Sequence, residues 1–443
     1  MNSNFTLQTR RRFLRTSMLG AAATWTLPVF LEKTFFALDA MAADAITQTV
    51  SGKEGTILVV LQMAGGNDGL NMVVPYADDA YHRARPRLGL AADKVLKIDN
   101  YAGLNGILTG LKSLFDDGHL AVVQGVGYPN PNRSHFRSTE IWQSASDPER
   151  MVSEGWLGRY FDNCCAGADP TIGVAIGEEM PQAFAAKTPT GITFSRPEQF
   201  RWRPSDPNSG RMSDEESFFR QLNEAGGEEN GITASDGASV TALSGKTKSD
   251  LSTMDFLQRT ALDAQLSSDK ILAIARKYKS NVPYPPGQLA ASLNTIARMI
   301  AGGLPTRVYY TSQGGFDTHA GQMNAHERLM GDFNDAVSAF VADLKQQKNF
   351  ERVLIMTFSE FGRRVGENAN GGTDHGAAAP MFVLGGAVKP GLFGRCPSLT
   401  DLDRGDLKFN TDFRSVYGTV LDRWLKAPSN VVLGRKFPVL PIV

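Results

Sequence analysis

The chain has 443 residues, with 46 basic and 46 acidic side chains and a formal net charge of zero. Because the basic residues are dispersed, the chain lacks the electropositive surface that duplex nucleic acid requires, and we set this class of partner aside. The three cysteines, Cys164, Cys165 and Cys396, match no metal-binding spacing and predict free thiols.

The first 42 residues predict an export signal. Arg10, Arg11 and Arg12 precede a modestly apolar stretch, 18–36, which is typical of a twin-arginine signal, whereas a spanning helix needs about 20 strongly apolar residues. Ala40-Met41-Ala42 offers a cleavage site, and an uncleaved amino-terminal anchor is the alternative. We expect the twin-arginine translocase as a partner, a periplasmic or secreted location, and no membrane span after cleavage. Cleavage would remove five basic and two acidic residues and leave a net charge of −3.

Apolar runs of strand length predict central strands that are buried on both faces. The runs are 56–61, 120–123, 171–176, 307–310, 353–357 and 381–384. Helical patterns lie between several of them, most clearly at 324–346. This order predicts an α/β fold over 43–443, with a mostly parallel central sheet and helices on both faces. At about 200–300 we expect an inserted helical region that is partly disordered, because 225–250 is rich in Gly, Ser, Thr and Asp.

Polar residues that can bind metals or catalyse reactions follow four of these strands. In an open α/β sheet, the carboxyl ends of the strands converge on one crevice. After the first strand, the turn Gly65-Gly66-Asn67-Asp68-Gly69 presents Asp68 as a metal ligand and Asn67 as a substrate contact. The alternative is an ordinary turn in which Asp68 bonds to its own backbone.

After the second strand, Ser134 stands at the start of a helical pattern. A serine there faces free N–H groups and the positive end of the helix dipole, which suits a nucleophile that attacks phosphate. His135 could transfer a proton, and Arg133 and Arg137 could bind an anionic substrate. The alternative is that Ser134 only caps the helix.

Two later strands are followed by further acid and histidine groups. Asp317 and His319 lie two residues apart beside paired glycines and could bind zinc or manganese. The alternative is that Asp317 only orients His319. Glu360 emerges after the 353–357 strand, and Asp374-His375 is flanked by glycines; all three are metal-ligand candidates.

Arg363 lies shortly after Glu360 in the sequence. Its guanidinium could bind an anionic substrate.

At these residues the chain resembles a bacterial family of twin-arginine-exported proteins catalogued as a domain of unknown function, number fifteen-zero-one, within the alkaline phosphatase-like superfamily. The resemblance covers nearly the whole mature chain. The sequence motifs that carry the resemblance are residues 65–71, 134–138, 314–319, 359–363 and 372–376.

The resemblance implies an alkaline phosphatase-like fold, with Asp68, Ser134, Asp317, His319, Glu360 and His375 in the places of the superfamily's nucleophile and metal ligands. Two departures imply fewer ligands for one metal: Asp317 and His319 are unusually close together, and Ser359-Glu360 stands where Asp-His is expected. Cys396-Pro397-Ser398 departs from the C-x-P-x-R motif of the sulfatase branch.

The leading hypothesis is therefore an exported hydrolase of phosphate esters. Sulfate esters are the less favoured substrates. It would use a serine nucleophile and a divalent metal, zinc or manganese, with calcium as a further candidate. The rival hypothesis is a catalytically inactive protein of the same fold that serves as an exported binding or assembly factor.

Overall fold

The computed structural model describes residues 55–200, apart from 167, 189 and 199, and residues 267–443. The chain forms two compact units, and the sheet and site below belong to the unit made of 43–196 and 273–443. Of the other unit, which comprises 1–42 and 197–272, the described part includes a helical segment, 267–272. The predicted export signal and the part of the predicted insertion at 201–266 lie outside the described residues.

The described strands are short and mostly apolar. In chain order they are β1 (Ile57–Met63), β2 (Val73–Val74), β3 (Val95–Lys97), β4 (Gly103–Asn105), β5 (Leu120–Gly127), β6 (Gly173–Ile176), β7 (Ile192–Phe194), β8 (Val308–Gln313), β9 (Val353–Phe358), β10 (Ala379–Gly385), β11 (Gly391–Phe393), β12 (Leu402–Asp403), β13 (Asp406–Leu407) and β14 (Thr411–Asp412). All six predicted strands are present among them.

A nine-stranded sheet organises this unit, with the order β11-β5-β10-β9-β1-β8-β6-β7 and β14 paired to β5. Its pairings are parallel except for those of β10, which runs antiparallel to β5 and β9. The prediction of a mostly parallel central sheet in an α/β fold is thus confirmed. Two small antiparallel sheets, β2-β4-β3 and β12-β13, lie outside it.

Helices connect and cover the strands. They are α1 (Asp79–Ala84), α2 (Thr109–Asp116), α3 (His135–Ser144), α4 (Trp156–Cys164), α5 (Gln288–Ala301), α6 (Gln322–Gln346), α7 (Phe413–Thr419) and α8 (Ser429–Val432), with a π-helical turn at Val420–Leu425. Residues 273–277 of this unit are also helical. No helix in the described part of the chain combines the length and the apolarity that crossing a bilayer requires.

The core forms because β1 is buried on both faces, as its continuous apolar sequence predicts. On one face, Leu58 and Val60 pack in a cluster that contains Trp142 of α3. The Trp142 ring stacks on Phe413 of α7 at a centroid distance of 4.3 Å and on Phe358 of β9 at 5.5 Å. This packing fixes α3 against the sheet and thereby places the residues at its amino terminus.

Candidate metal centre

The strand directions bring distant parts of the sequence to one edge of the sheet. Since β10 is antiparallel to β5 and β9, its amino-terminal end lies at the edge where the parallel strands β5, β9, β1 and β8 have their carboxyl ends. The segments after β5, β8 and β9 carry His135, Asp317 and Glu360, and the segment before β10 carries His375. This edge is where an α/β sheet places its ligand site.

Three side chains converge there with atoms that can bind a metal ion. His135, Asp317 and His375 each offer one ligand atom, and these atoms lie within 4.8 Å of one another. His375 Nε2 is 3.1 Å from Asp317 Oδ1, and His135 Nε2 is 3.4 Å from Asp317 Oδ2. The two rings meet edge to face at a centroid distance of 4.5 Å.

The hydrogen bonds on the far side of each ring decide which nitrogen faces the cluster. His375 Nδ1 lies 2.9 Å from the backbone carbonyl of Arg133, and His135 Nδ1 lies 2.8 Å from Glu360 Oε1. Because a carbonyl and a carboxylate only accept, each Nδ1 carries the proton and donates. In the neutral rings, both Nε2 lone pairs therefore point at the carboxylate of Asp317. His135 Nε2 is buried and has no hydrogen-bond partner among the described residues.

Nitrogen lone pairs and a carboxylate that face one another repel, so a positive charge between the three groups would stabilise this arrangement. Two imidazole nitrogens and a carboxylate oxygen are ligands of zinc and manganese, and an acceptor on the second ring nitrogen is the usual companion of a metal-bound histidine. The residues present thus fit a divalent metal.

A buried guanidinium supports the carboxylate. Arg363 is only 1% exposed and donates to the carbonyl oxygens of Gly65, Gly66, Phe316 and Thr373. It also donates from Nη2 to Oδ1 of Asp317 at 2.7 Å. Partial burial acts to raise the pKa of this carboxyl, but its close contacts with Arg363 and His375 outweigh burial and lower the pKa to about 2. The carboxylate is therefore ionised, as a metal ligand must be.

Two glycines permit the close approach of the site loops. A Cβ at Gly65, which has φ +120°, would lie 2.5 Å from the backbone nitrogen of Asp317. A Cβ at Gly372 would lie 2.2 Å from the carbonyl carbon of His319. Side chains at these positions would push the loops apart.

Ser134 lies between two anchored residues. The carbonyl of Arg133 bonds to one ring of the cluster, and His135 supplies the other ring. Ser134 is exposed, and its hydroxyl makes no capping hydrogen bond at the start of α3. Ser134 thus lies between two residues that contact or form the cluster, and its hydroxyl is not used to cap the helix.

Residues 121–402 match the family described as "Protein of unknown function (DUF1501)". The chain belongs to this family. The match includes every residue of the cluster, and the resemblance to family fifteen-zero-one is confirmed. Among curated proteins, none matches the chain significantly.

Solved structures similar to this DUF1501 protein include sulfatase and phosphatase structures. The PsFucS1 sulfatase from Pseudoalteromonas sp. is 12% identical, with a TM-score of 0.37 over 87% of this chain and 71% of that chain. The phosphonate monoester hydrolase SpPMH from Silicibacter pomeroyi is 10% identical, with a TM-score of 0.31 over 87% and 78%. The alkaline phosphatase from the Antarctic bacterium TAB5 is 10% identical, with a TM-score of 0.33 over 77% and 95%. The likeness is distant.

His319 flanks the cluster of this DUF1501 protein. Its Nε2 lies 2.9 Å from His375 Nε2 and 3.1 Å from Asp317 Oδ1. Asp374, expected as a ligand, lies on the other side of that ring, with Oδ1 3.6 Å from His319 Nδ1. A hydrogen bond from Asn368 is the main cause that lowers the pKa of Asp374. Asp374 thus borders His319 and is not one of the three converging groups.

Asp68, also expected as a ligand, lies in a separate buried polar group. Its Oδ2 accepts from Arg85 Nη1 at 2.5 Å and from Gln322 Nε2. Burial acts to raise the pKa of Asp68, but the charge of Arg85 outweighs it and the pKa is lowered. Its other oxygen has no partner among the described residues. A guanidinium therefore takes the position beside Asp68 that a metal was expected to fill.

Asn67 belongs to the same buried group as Asp68. It was expected to contact substrate, but it is 1% exposed and bonds to His326 Nε2 at 2.8 Å. Burial lowers the pKa of His326 to about 4, so that ring is neutral at pH 7. Asn67 thus packs beneath the surface that a substrate would reach.

Glu360, expected as a metal ligand, bonds to the far side of the His135 ring and is not one of the three converging groups. Its Oε1 accepts from His135 Nδ1 and from the backbone nitrogen of Gly65, both at 2.8 Å. The buried Phe361 ring next to it packs against His135 and His375 at centroid distances of 4.9 and 4.5 Å. Sequence reasoning did not single out Phe361, since an apolar residue after a strand carries no sign of a nearby metal.

The three arginines that were expected to bind substrate all bond to other groups of the chain. Arg363 is buried under the site, as described above. Arg133 bonds to Asp406, and its side chain is 37% exposed. Arg137 donates to the carbonyls of Pro148 and Arg150. Of the three side chains, that of Arg133 has the largest exposed fraction, and Arg133 directly precedes Ser134 in the chain.

We predict that Glu360→Gln weakens metal binding about 10-fold to 100-fold, because the amide keeps the shape but removes the charge that raises the basicity of His135. Calorimetric titration of chelator-treated protein with zinc measures this. Glu140→Gln is the matched control. Glu140 lies on α3, the helix that His135 begins, and pairs with Arg137. Equal affinities in all three proteins would show that Glu360 does not support a ligand.

We predict that Asp68→Asn lowers the free energy of unfolding by about 3–5 kcal/mol at pH 7, because it leaves the buried Arg85 without a counter-charge. The folded-state pKa of Asp68 is lowered, so its stabilisation is present above the unfolded pKa of about 3.9 and is lost as the pH falls through the folded value. The difference between wild type and variant should therefore shrink below about pH 4.

Urea unfolding at several pH values measures this difference. Asp401→Asn, at an exposed residue paired with Lys408, should change stability by less than about 0.5 kcal/mol. A difference for Asp68→Asn that stays constant from pH 7 to pH 3 would contradict the assignment.

Proposed function

We propose that the protein is an exported, metal-dependent hydrolase of phosphate esters, with His135, Asp317 and His375 as metal ligands and Ser134 as the nucleophile. The observation that carries the proposal is the convergence of the Nε2 atoms of two histidines on the carboxylate of Asp317. When bound there, a divalent ion would supply positive charge that favours the ionised serine hydroxyl and offsets the charge on the ester oxygens.

The residues of the chain perform the group transfer. Ser134 Oγ loses its proton to water and forms a bond to phosphorus, while the bond from phosphorus to the leaving oxygen breaks and its electron pair stays on that oxygen. The leaving oxygen takes up a proton, for which the 44% exposed side chain of His319 is the nearby donor. Water then attacks the phosphoserine, which releases phosphate and restores the hydroxyl.

The other groups of the site hold this geometry. Glu360 and the carbonyl of Arg133 fix the proton on Nδ1 of the two ligand rings, and Arg363 fixes the orientation of Asp317. Arg133 can bind a substrate oxygen with the exposed part of its guanidinium, because it lies next to Ser134 in the chain. Phosphate is favoured over sulfate because the cysteine motif of the sulfatase branch is missing from this sequence.

We predict close to one equivalent of zinc or manganese in the folded protein, lost in Asp317→Ala and His375→Ala but kept in His82→Ala, whose ring bonds to Tyr76 away from the cluster. Ser134→Ala should keep the metal and lose hydrolysis of 4-nitrophenyl phosphate. Metal analysis by mass spectrometry and a phosphatase assay measure both.

The outcomes separate the two hypotheses. A folded protein without metal, with both ligand variants equally folded, would contradict the hydrolase. Bound metal together with an inactive wild type across a panel of phosphate esters would favour the catalytically inactive binding or assembly factor.

Export by the twin-arginine translocase is part of the proposal. It is supported by the run Arg10-Arg11-Arg12 and the cleavage site at Ala40-Met41-Ala42. Replacing the three arginines with lysine should keep the uncleaved chain in the cytoplasm. Fractionation of cells that express both forms measures this, and unchanged export of the lysine variant would contradict the route.

A further inference from the structure

Two exposed apolar side chains stand at the starts of the helices that border the metal centre. Phe136 is 92% exposed and Met323 is 45% exposed. Phe136 is the second residue of α3, directly after His135, and Met323 is the second residue of α6, which begins three residues after His319. Single exposed apolar residues are ordinary on a protein surface, so their position is the informative feature.

Both residues lie in the first turn of a helix whose amino terminus borders the site. Side chains on an α-helix lean toward its amino terminus. The amino terminus of α3 carries Ser134, the proposed nucleophile. The amino terminus of α6 is tied to the loop that leads to His375, since Gly321 and Gln322 donate from their backbone nitrogens to Asn370 and Gly371 at 3.1 and 2.8 Å. Phe136 and Met323, which we call the apolar pair, thus lean toward the helix ends that border the centre.

The metal centre is polar and charged, whereas the neighbouring apolar pair is not. The centre consists of a carboxylate, three imidazoles and a buried guanidinium, which suit an anionic reacting group. The apolar pair can contribute only apolar contact area and, for Phe136, a ring face. A ligand that matches both parts has a charged head and an apolar or aromatic group attached to it.

We propose that the substrates are phosphate monoesters of an apolar, preferably aromatic, alcohol, whose organic group packs on the apolar pair while the phosphate enters the centre. This inference rests on the proposed function and adds the substrate class to it. It makes Phe136 a specificity-determining residue that touches the part of the substrate that does not react.

Two non-hydrolysable anions test the proposal: phenylphosphonate and methylphosphonate, which share the charged head and differ in the organic group. Isothermal titration of the metal-loaded wild type should show phenylphosphonate binding about 10-fold more tightly. Phe136→Ala should reduce that ratio to about twofold, and Phe136→Leu should give an intermediate value, because leucine keeps apolar area without the ring. Affinity for methylphosphonate should stay unchanged in all variants.

A matched control and a stability measurement complete the design. Val431→Ala changes another exposed apolar residue, 47% exposed, and should leave the ratio unchanged. Urea unfolding of Phe136→Ala should match that of wild type. A lowered unfolding midpoint would show that another part of the chain covers the ring and would overturn the proposal.

The failure of this inference is distinguishable from failure of the proposed function. Equal affinity of the wild type for both phosphonates, or a ratio that Phe136→Ala does not change, overturns the substrate class and leaves the metal-dependent hydrolase standing. Metal-loaded protein that binds neither phosphonate overturns both.

Discussion

The buried guanidinium of Arg363 holds the candidate site together. One side chain bonds to the loop after β1 through Gly65 and Gly66, to the loop after β8 through Phe316 and Asp317, and to Thr373 before β10. Each of these loops offers at least one backbone carbonyl to the guanidinium in a region without regular structure. Because Arg363 also bonds to Asp317, the position of this carboxylate is tied to all three loops.

Two carboxylates near this edge of the sheet are each paired with an arginine. The two pairs differ in their exposure to solvent, and this difference distinguishes the candidate site from the buried residues that support it. Arg85 pairs with Asp68, and both side chains are fully buried. Arg363 pairs with Asp317, but the Asp317 side chain is 46% exposed and faces two histidine rings. Only Asp317 is therefore accessible to a ligand from solvent. The buried pair fixes the loop after β1, and breaking it costs stability because one charge would remain buried alone.

Much of the fold could be predicted because its physical cause is local. The six apolar runs became strands, and a local contact begins α7, since the Asp412 side chain accepts from the backbone nitrogen of Arg414. The meeting of Asp317 and His375 followed from strand ends that share one edge. The partners of Asp68 and Glu360 could not be predicted, because Arg85 and the Nδ1 of His135 reach them only through the tertiary fold. The inward position of Arg363 was hidden for the same reason, since an arginine after a strand has no local sign of burial.

X-ray absorption spectroscopy of the metal-loaded protein tests the central claim most directly, because it reports the atoms bound to the ion. The account predicts a zinc centre with two imidazole nitrogens at about 2.0–2.1 Å and at least one carboxylate oxygen at about 2.0–2.2 Å, and it predicts that this zinc signal is lost in His375→Ala. A shell of oxygen atoms alone, unchanged in that variant, would contradict it, since the ion would then be held outside the convergence of His135, Asp317 and His375.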